Sequence, residues 1–247
     1  MARSIAYYAL CLRVKQSGES NREAWFLSAE EGLIRATVFG GAKSRLRSQV
    51  APFHEGKLLI YHDPVKDFRK VTDFDVLSWR PGIRELWERA MTAGVLAETI
   101  LSSQGSGGNW PEAQELAGAT LEVIGEASAA ACPQIAVFFL WRWVKVLGFM
   151  PDLSHCANCD RAFAPEEVLV YSGRKEGLFC ENCFGNSSSQ LRIGPESRLW
   201  LTEIETLPPS ALKTLPADSV SLKQAKALSQ AVLTLALGRR LSTWDGV

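Results

Sequence analysis

Four cysteines, Cys156, Cys159, Cys180 and Cys183, are spaced as C-x2-C, 20 residues, C-x2-C. Two residues between cysteines let a tight turn aim both sulfurs at one point. Two such turns complete a tetrahedral shell, the geometry zinc takes with thiolates about 2.3 Å away. A catalytic ion keeps one position for water, whereas four cysteines close the shell, so one structural zinc is expected. The stretch between the pairs carries a strand signal, Val168-Leu169-Val170-Tyr171, and a turn signal, Ser172-Gly173. Knuckles on facing hairpins, a zinc-ribbon arrangement, follow. A redox C-x-x-C would open a helix inside a βαβ unit, and none is visible. Knuckles that no longer hold metal would leave the same spacing. Cys11 and Cys132 read as small buried apolar residues, and His155 and Asp160 as turn residues beside the knuckles.

The second chemistry on offer is phosphate binding. Gly40-Gly41-Ala42 frees the backbone ahead of Lys43, Arg45 and Arg47, three cations that can point along a phosphate chain. Lys66, Arg69 and Lys70 form a second group, and Arg35 lies on the strand before the first loop. Tyr7, Trp25, Phe39, Tyr61 and Phe68 are rings available for base stacking, although each taken singly reads more often as core than as platform. A merely solvated loop would carry the same cations. Residues 1–80 hold 13 Lys/Arg against 9 Asp/Glu in a chain of zero net charge, so positive charge gathers at the amino-terminal end.

Other chemistries lack their residues. The sequence has no phosphate-loop, dinucleotide, nucleophile-elbow or H-E-x-x-H motif, and His54, His62 and His155 are not spaced as a metal pair. A non-enzymatic role is expected. No secretory pattern opens the sequence, and the apolar stretch from Ile135 to Leu147 is cut by Arg142 and Lys145. Six cysteines without a secretory signal point to a reducing compartment, the cytoplasm, and no membrane association is expected.

The elements that must position these groups are short strands followed by helices. Ile5 to Val14, Trp25 to Leu27, Leu33 to Phe39, Leu58 to Tyr61 and Val71 to Leu77 read as five strands. Five strands in 80 residues fit an OB-fold barrel, while an SH3-like barrel or open meander would leave the same trace. Helical periodicity then runs from Ile83 to Leu101, Trp110 to Ala127, Pro133 to Gly148, Pro195 to before Pro208, and Ser221 to about Leu241. The expected class is α+β and multidomain. Residues 1–80 form an OB-fold nucleic-acid-binding domain, 81–150 and 195–247 two parts of a helical domain, and 151–194 the inserted zinc segment.

Several stretches resemble the bacterial recombination mediator family RecO. They are Tyr8-Ala9-Leu10-Cys11-Leu12-Arg13, Gly18-Glu19-Ser20-Asn21 and Glu31-Gly32-Leu33-Ile34-Arg35-Ala36. The basic loop Gly41-Ala42-Lys43-Ser44-Arg45-Leu46-Arg47 with Pro52-Phe53 joins them, as does the final Leu237-Gly238-Arg239-Arg240-Leu241. The resemblance implies a protein that binds single- and double-stranded DNA and anneals complementary strands. It would help load the recombinase RecA onto DNA coated by single-strand-binding protein, with RecR as partner, and work at the nucleoid. Lys43, Arg45 and Arg47 take the family's phosphate contacts, with Arg35, Lys66, Arg69 and Lys70 beside them. Arg142, Lys145, Arg239 and Arg240 become candidates for partner binding. Ser242-Thr243-Trp244 stands where many relatives carry Lys-Ser, which implies weaker DNA affinity or heavier reliance on partners. A zinc-stabilised protein–protein adaptor without DNA binding is the competing reading, and a zinc-dependent hydrolase with an open coordination position is a third.

Overall fold

The computed structural model describes residues 3–40, 44–103, 109–184, 190–215 and 217–244. Five strands, β1 (Arg3–Ser17), β2 (Asn21–Ser28), β3 (Gly32–Val38), β4 (Glu55–Asp63) and β5 (Phe68–Ser78), close a barrel in the order β1-β2-β3-β5-β4. All neighbours are antiparallel except β3 and β5, which meet in parallel through one pair, Thr37 with Lys70. The expected OB-type barrel is borne out, with strands longer than apolar alternation alone marked. Their polar ends, such as Asn21-Arg22-Glu23, are held by pairing to neighbours rather than by burial.

Period-two alternation fills the barrel. Ala9, Cys11, Phe26, Ile34, Leu58 and Phe74 point inward, with Phe26 and Phe74 meeting edge to face at 5.6 Å. The other face of β1 is apolar too. Leu10 and Leu12, with Leu27 of β2, leave the barrel and join a second core built by the helices. A register shift between Cys11 and Arg13 sets Leu12 as the extra residue, a bulge that re-aims the chain at this junction.

The helical part begins with a 3-10 turn, Pro81–Arg84, so α2 spans Trp87–Ser102 and starts four residues later than expected. Helix α3 (Trp110–Glu126) opens with Asn109, whose side chain accepts from the Glu112 N–H, and with proline in its first turn. Helix α4 (Cys132–Val146) is buried almost all round, as a central helix must be, with Trp141 and Trp143 fully enclosed. Helices α6 (Pro195–Glu203) and α7 (Ser219–Leu237) complete the core. Helix α7 begins at Asp218, which accepts from the Val220 and Ser221 N–H groups. It stops at Gly238, whose φ of +66° is the left-handed cap glycine favours, so the helix ends before the expected Leu241.

Two contacts lock barrel to helices. Gly32, at φ +73° in the turn opening β3, lies under the Trp110 indole, where any Cβ would come within 2.5 Å of the ring. Arg80, buried, donates to Glu55 (2.5 Å), Glu122 (2.9 Å) and the Phe53 carbonyl (2.8 Å), and Gln114 of α3 donates to Glu55 and to the Tyr8 carbonyl.

Candidate functional site

The cysteine segment is a small three-stranded sheet, β6 (Leu169–Ser172) between β7 (Gly177–Phe179) and β8 (Leu191–Ile193). The third strand was not legible as periodicity, because Leu191-Arg192-Ile193 is only three residues long. Cys156 and Cys159 lie in a loop bracketed by a bridge between His155 and Ala162, a tight turn in which Asp160 takes φ +56°. Cys180 directly follows β7, and Cys183 sits in a one-turn helix, α5 (Glu181–Phe184). The second knuckle is therefore strand-to-helix, not the facing hairpin expected.

All four Sγ atoms lie within 4.8 Å of one another, and those of Cys159 and Cys180 are 3.9 Å apart. A tetrahedron with metal–sulfur bonds of about 2.3 Å requires sulfurs about 3.8 Å apart, so the cage fits one ion with small adjustment. The Cys180 N–H donates to the Cys156 sulfur and the Asn158 amide to that of Cys183, both at 3.4 Å. Burial alone would raise the Cys156 thiol, but backbone N–H groups of Cys180, Cys159 and Asn158 outweigh it and bring it down to about 6. Backbone donors that favour thiolate are what a metal cage needs. Beneath it Phe179 and Phe184 pack at 5.2 Å, and Leu169, Tyr171 and Leu178 carry the segment into the helical core. Cys11 and Cys132 are buried far from this cluster in sequence, and burial pushes both thiols up, as expected of packing residues.

Among the described residues, the cations of the barrel do not form one bare patch. Lys43 lies outside the described residues. Arg45 precedes a short helix, α1 (Leu46–Gln49), and its guanidinium meets Asp73 of β5 at 2.7 Å. Arg47 is exposed in α1. Helix α1 is fastened by Arg22, which donates to the carbonyls of Leu46, Arg47 and Val50, so this turn of helix is braced against β2. Lys66 is exposed in the β4–β5 loop, and Lys70 Nζ stands 5.0 Å over the Tyr61 ring.

Arg35 and Arg69 line a groove of about 510 Å³ between β3 and the β4–β5 loop, together with Phe68. Arg35 pairs with Glu23 at 2.6 Å, Arg69 with Glu31 at 2.5 Å. Burial opposes ionisation of Glu31, but hydrogen bonds from Tyr7 and Arg69 override it and hold its carboxyl below the usual range. Beside the groove, the strand register sets Arg13, Trp25 and Arg35 in one row across β1, β2 and β3. The two guanidiniums sit 5.5 and 5.6 Å from the indole centre. Trp25 thus holds two arginines on the barrel surface, and Arg13 is a member of this face that sequence reasoning missed. Strand register alone reveals it. Tyr7 is buried in the barrel and Phe39 is exposed against Phe68, their rings 6.1 Å apart.

The candidate partner-binding residues are scattered. Arg142 donates to the carbonyls of Ile204 and Leu207, so its guanidinium fastens α4 to the segment after α6. Lys145 is exposed on α4, and Arg239 and Arg240 lie beyond α7. Arg239 donates to Ser102 and comes within 3.9 Å of Glu98.

Glu98 itself grips the end of the described chain, accepting from the backbone and hydroxyls of Ser242 and Thr243 at 2.6–2.8 Å. Burial raises this carboxyl, but the four donors prevail and bring it down to about 2. A depressed carboxylate stabilises the fold above its unfolded value and loses that contribution as pH falls toward its folded value. Glu98→Gln should cost about 1–2 kcal/mol at neutral pH. The cost should shrink between about pH 4.5 and 2, as a pH series of denaturant midpoints would reveal.

Two family models match, Recombination protein O N terminal over residues 1–79 and Recombination protein O C terminal over residues 84–245. The chain belongs to the Recombination protein O family. The likeness read in the basic loop and the amino-terminal strands is borne out. The chain is similar to the DNA repair protein RecO of Pelotomaculum thermopropionicum, 24% identical over 240 residues covering 96% of this chain and 90% of that protein. Its counterpart in Anaeromyxobacter sp. is 29% identical over 248 residues, covering 98% and 94%. That of Bacillus subtilis is 26% identical over 191 residues, covering 76% and 72%. Among the described residues no helix is long and apolar enough to cross a membrane.

Proposed function

We propose that the chain is a non-enzymatic DNA-repair protein. It binds single- and double-stranded DNA through the barrel of residues 1–80 and anneals complementary strands. With RecR it helps load RecA onto DNA coated by single-strand-binding protein, in the cytoplasm at the nucleoid. The observation that carries this is the set of cations held over aromatic rings on the outer face of the β1-β2-β3-β5-β4 barrel, Arg13 and Arg35 over Trp25 and Lys70 over Tyr61, on a fold that receives oligonucleotides on its barrel face. Arg45 and Arg47 border that face on one side, Lys43 belongs to the same basic stretch by sequence alone, and Arg35, Lys66, Arg69 and Lys70 lie on the face or in the β4–β5 loop. The four cysteines hold one structural zinc ion, a reading supported by the all-sulfur donor set and the closed cage. Bound zinc supplies local folding free energy and no chemistry on DNA. Partner proteins meet the helical part, where Lys145, Arg239 and Arg240 are exposed.

Salt dependence tests the DNA contacts. Each phosphate neutralised on a single strand contributes about 0.7 to the slope of log affinity against log salt. Alanine at Lys43, Arg45 and Arg47 together should flatten that slope by up to about two. An unchanged slope removes the loop from the interface. Exposed Trp79 and Trp87 at the barrel–helix junction favour the second reading, a protein–protein adaptor. That reading predicts a stable protein complex and no DNA binding at low salt.

A further inference from the structure

Neither arginine of the barrel groove is bare. Arg35 Nη2 lies 2.6 Å from Glu23 Oε1, and Arg69 Nη2 lies 2.5 Å from Glu31 Oε1. Each pair is made between elements: Glu23 reaches from β2 to β3, and Glu31 from the β2–β3 turn to β5. A carboxylate in a guanidinium fork presents its oxygens where a phosphate would present its own. The groove also contains Asp67, which makes no ion pair among the described residues. Three acids against two arginines leave this groove net negative, on the face where a polyanion is to bind.

The pairs are weak enough to be exchanged. The side chains of the Arg35–Glu23 pair are 65% and 23% exposed, and those of the Arg69–Glu31 pair, in which Glu31 also accepts from Tyr7, 24% and 34%. Partly exposed ion pairs contribute little net stability, so the first pair exchanges more readily than the second. A phosphate chain gains counterion release that a single carboxylate does not. We propose that Glu23 and Glu31 are affinity-setting residues, occupying Arg35 and Arg69 as phosphate surrogates that a DNA strand must displace. This inference rests on the DNA-binding reading and adds a function to two acids. A strand held against such internal competition is released readily, as annealing requires, because the arginines have an alternative partner at once.

The test measures binding of a fluorescent oligothymidylate to the full chain by anisotropy at fixed low salt. Glu23→Gln and Glu31→Gln should each tighten binding roughly two- to five-fold, and the double variant roughly five- to twenty-fold. Asp67→Asn removes one negative charge from the same groove without freeing an arginine, and should gain clearly less. Adding Arg69→Ala to Glu31→Gln should abolish the gain, a coupling that general charge does not produce. Equal gains from Asp67→Asn and Glu31→Gln would overturn the inference, and so would wild-type affinity in the double variant with melting unchanged. Binding by the wild type with no gain in the variants sinks this inference alone. Absence of binding by every form sinks the DNA reading beneath it as well.

Discussion

Serine at Cys180 should empty the metal cage and unfold the segment around it. Cys180 is buried, its sulfur is 3.9 Å from that of Cys159, and its N–H supports the Cys156 sulfur. Serine takes away one sulfur ligand and the contact with the Cys159 sulfur, while the backbone N–H to the Cys156 sulfur stays. Zinc binding in small modules supplies folding free energy on the order of 10 kcal/mol, far more than three short strands can gain from their own pairing. Because Leu169, Tyr171 and Leu178 tie this sheet to the helical core, the damage should reach the whole helical part. One zinc per chain by elemental analysis in the wild type, none in Cys180→Ser, and a much lower melting temperature are expected. Cys132→Ala is the matched control, since it removes a buried thiol outside the cage and should keep the metal. Wild-type melting in a metal-free Cys180 variant would refute the structural role.

Alanine at Arg80 should cost about 3–5 kcal/mol, because it leaves the Glu55 carboxylate buried without its cation. The two side chains are 3% and 7% exposed, so the carboxylate loses its cation in a buried setting. The effect has a distinctive signature. Replacing both residues with apolar side chains of similar size, Arg80→Met with Glu55→Leu, should recover most of the loss, since paired burial costs desolvation that an apolar pair avoids. Denaturant midpoints of the two single variants and the double would check this, and a double variant no better than Arg80→Ala would contradict it.

Much of this architecture was legible in the residues. Cysteine spacing encoded the cage, because two intervening residues constrain a turn wherever they occur. Alternation encoded the barrel, although β2 and β4 extend beyond their apolar runs through pairing that no single strand reveals. Pro111 marked the start of α3, whereas the cap at Asn109 emerged only from the structure. Gly238 carried the stop of α7, a signal outweighed in the sequence by the apolar residues around it. The face proposed for nucleic acid was read as a set of cations, yet its character depends on what each cation touches. Glu23, Glu31 and Asp73 are ordinary solvated acids in sequence. Only the pairing of strands brings them to Arg35, Arg69 and Arg45. The same pairing brings Arg13 to Trp25, a contact between residues twelve positions apart.

Strand β1 is a party wall. Ala9 and Cys11 furnish the room on one side, Leu10 and Leu12 the room on the other, with backbone the only thickness between. Neither room can be dismantled while the other stands, so a pull applied to the β-rich half is felt at once among the helices. Loss of this one strand would open both rooms together, because each borrows a wall from it.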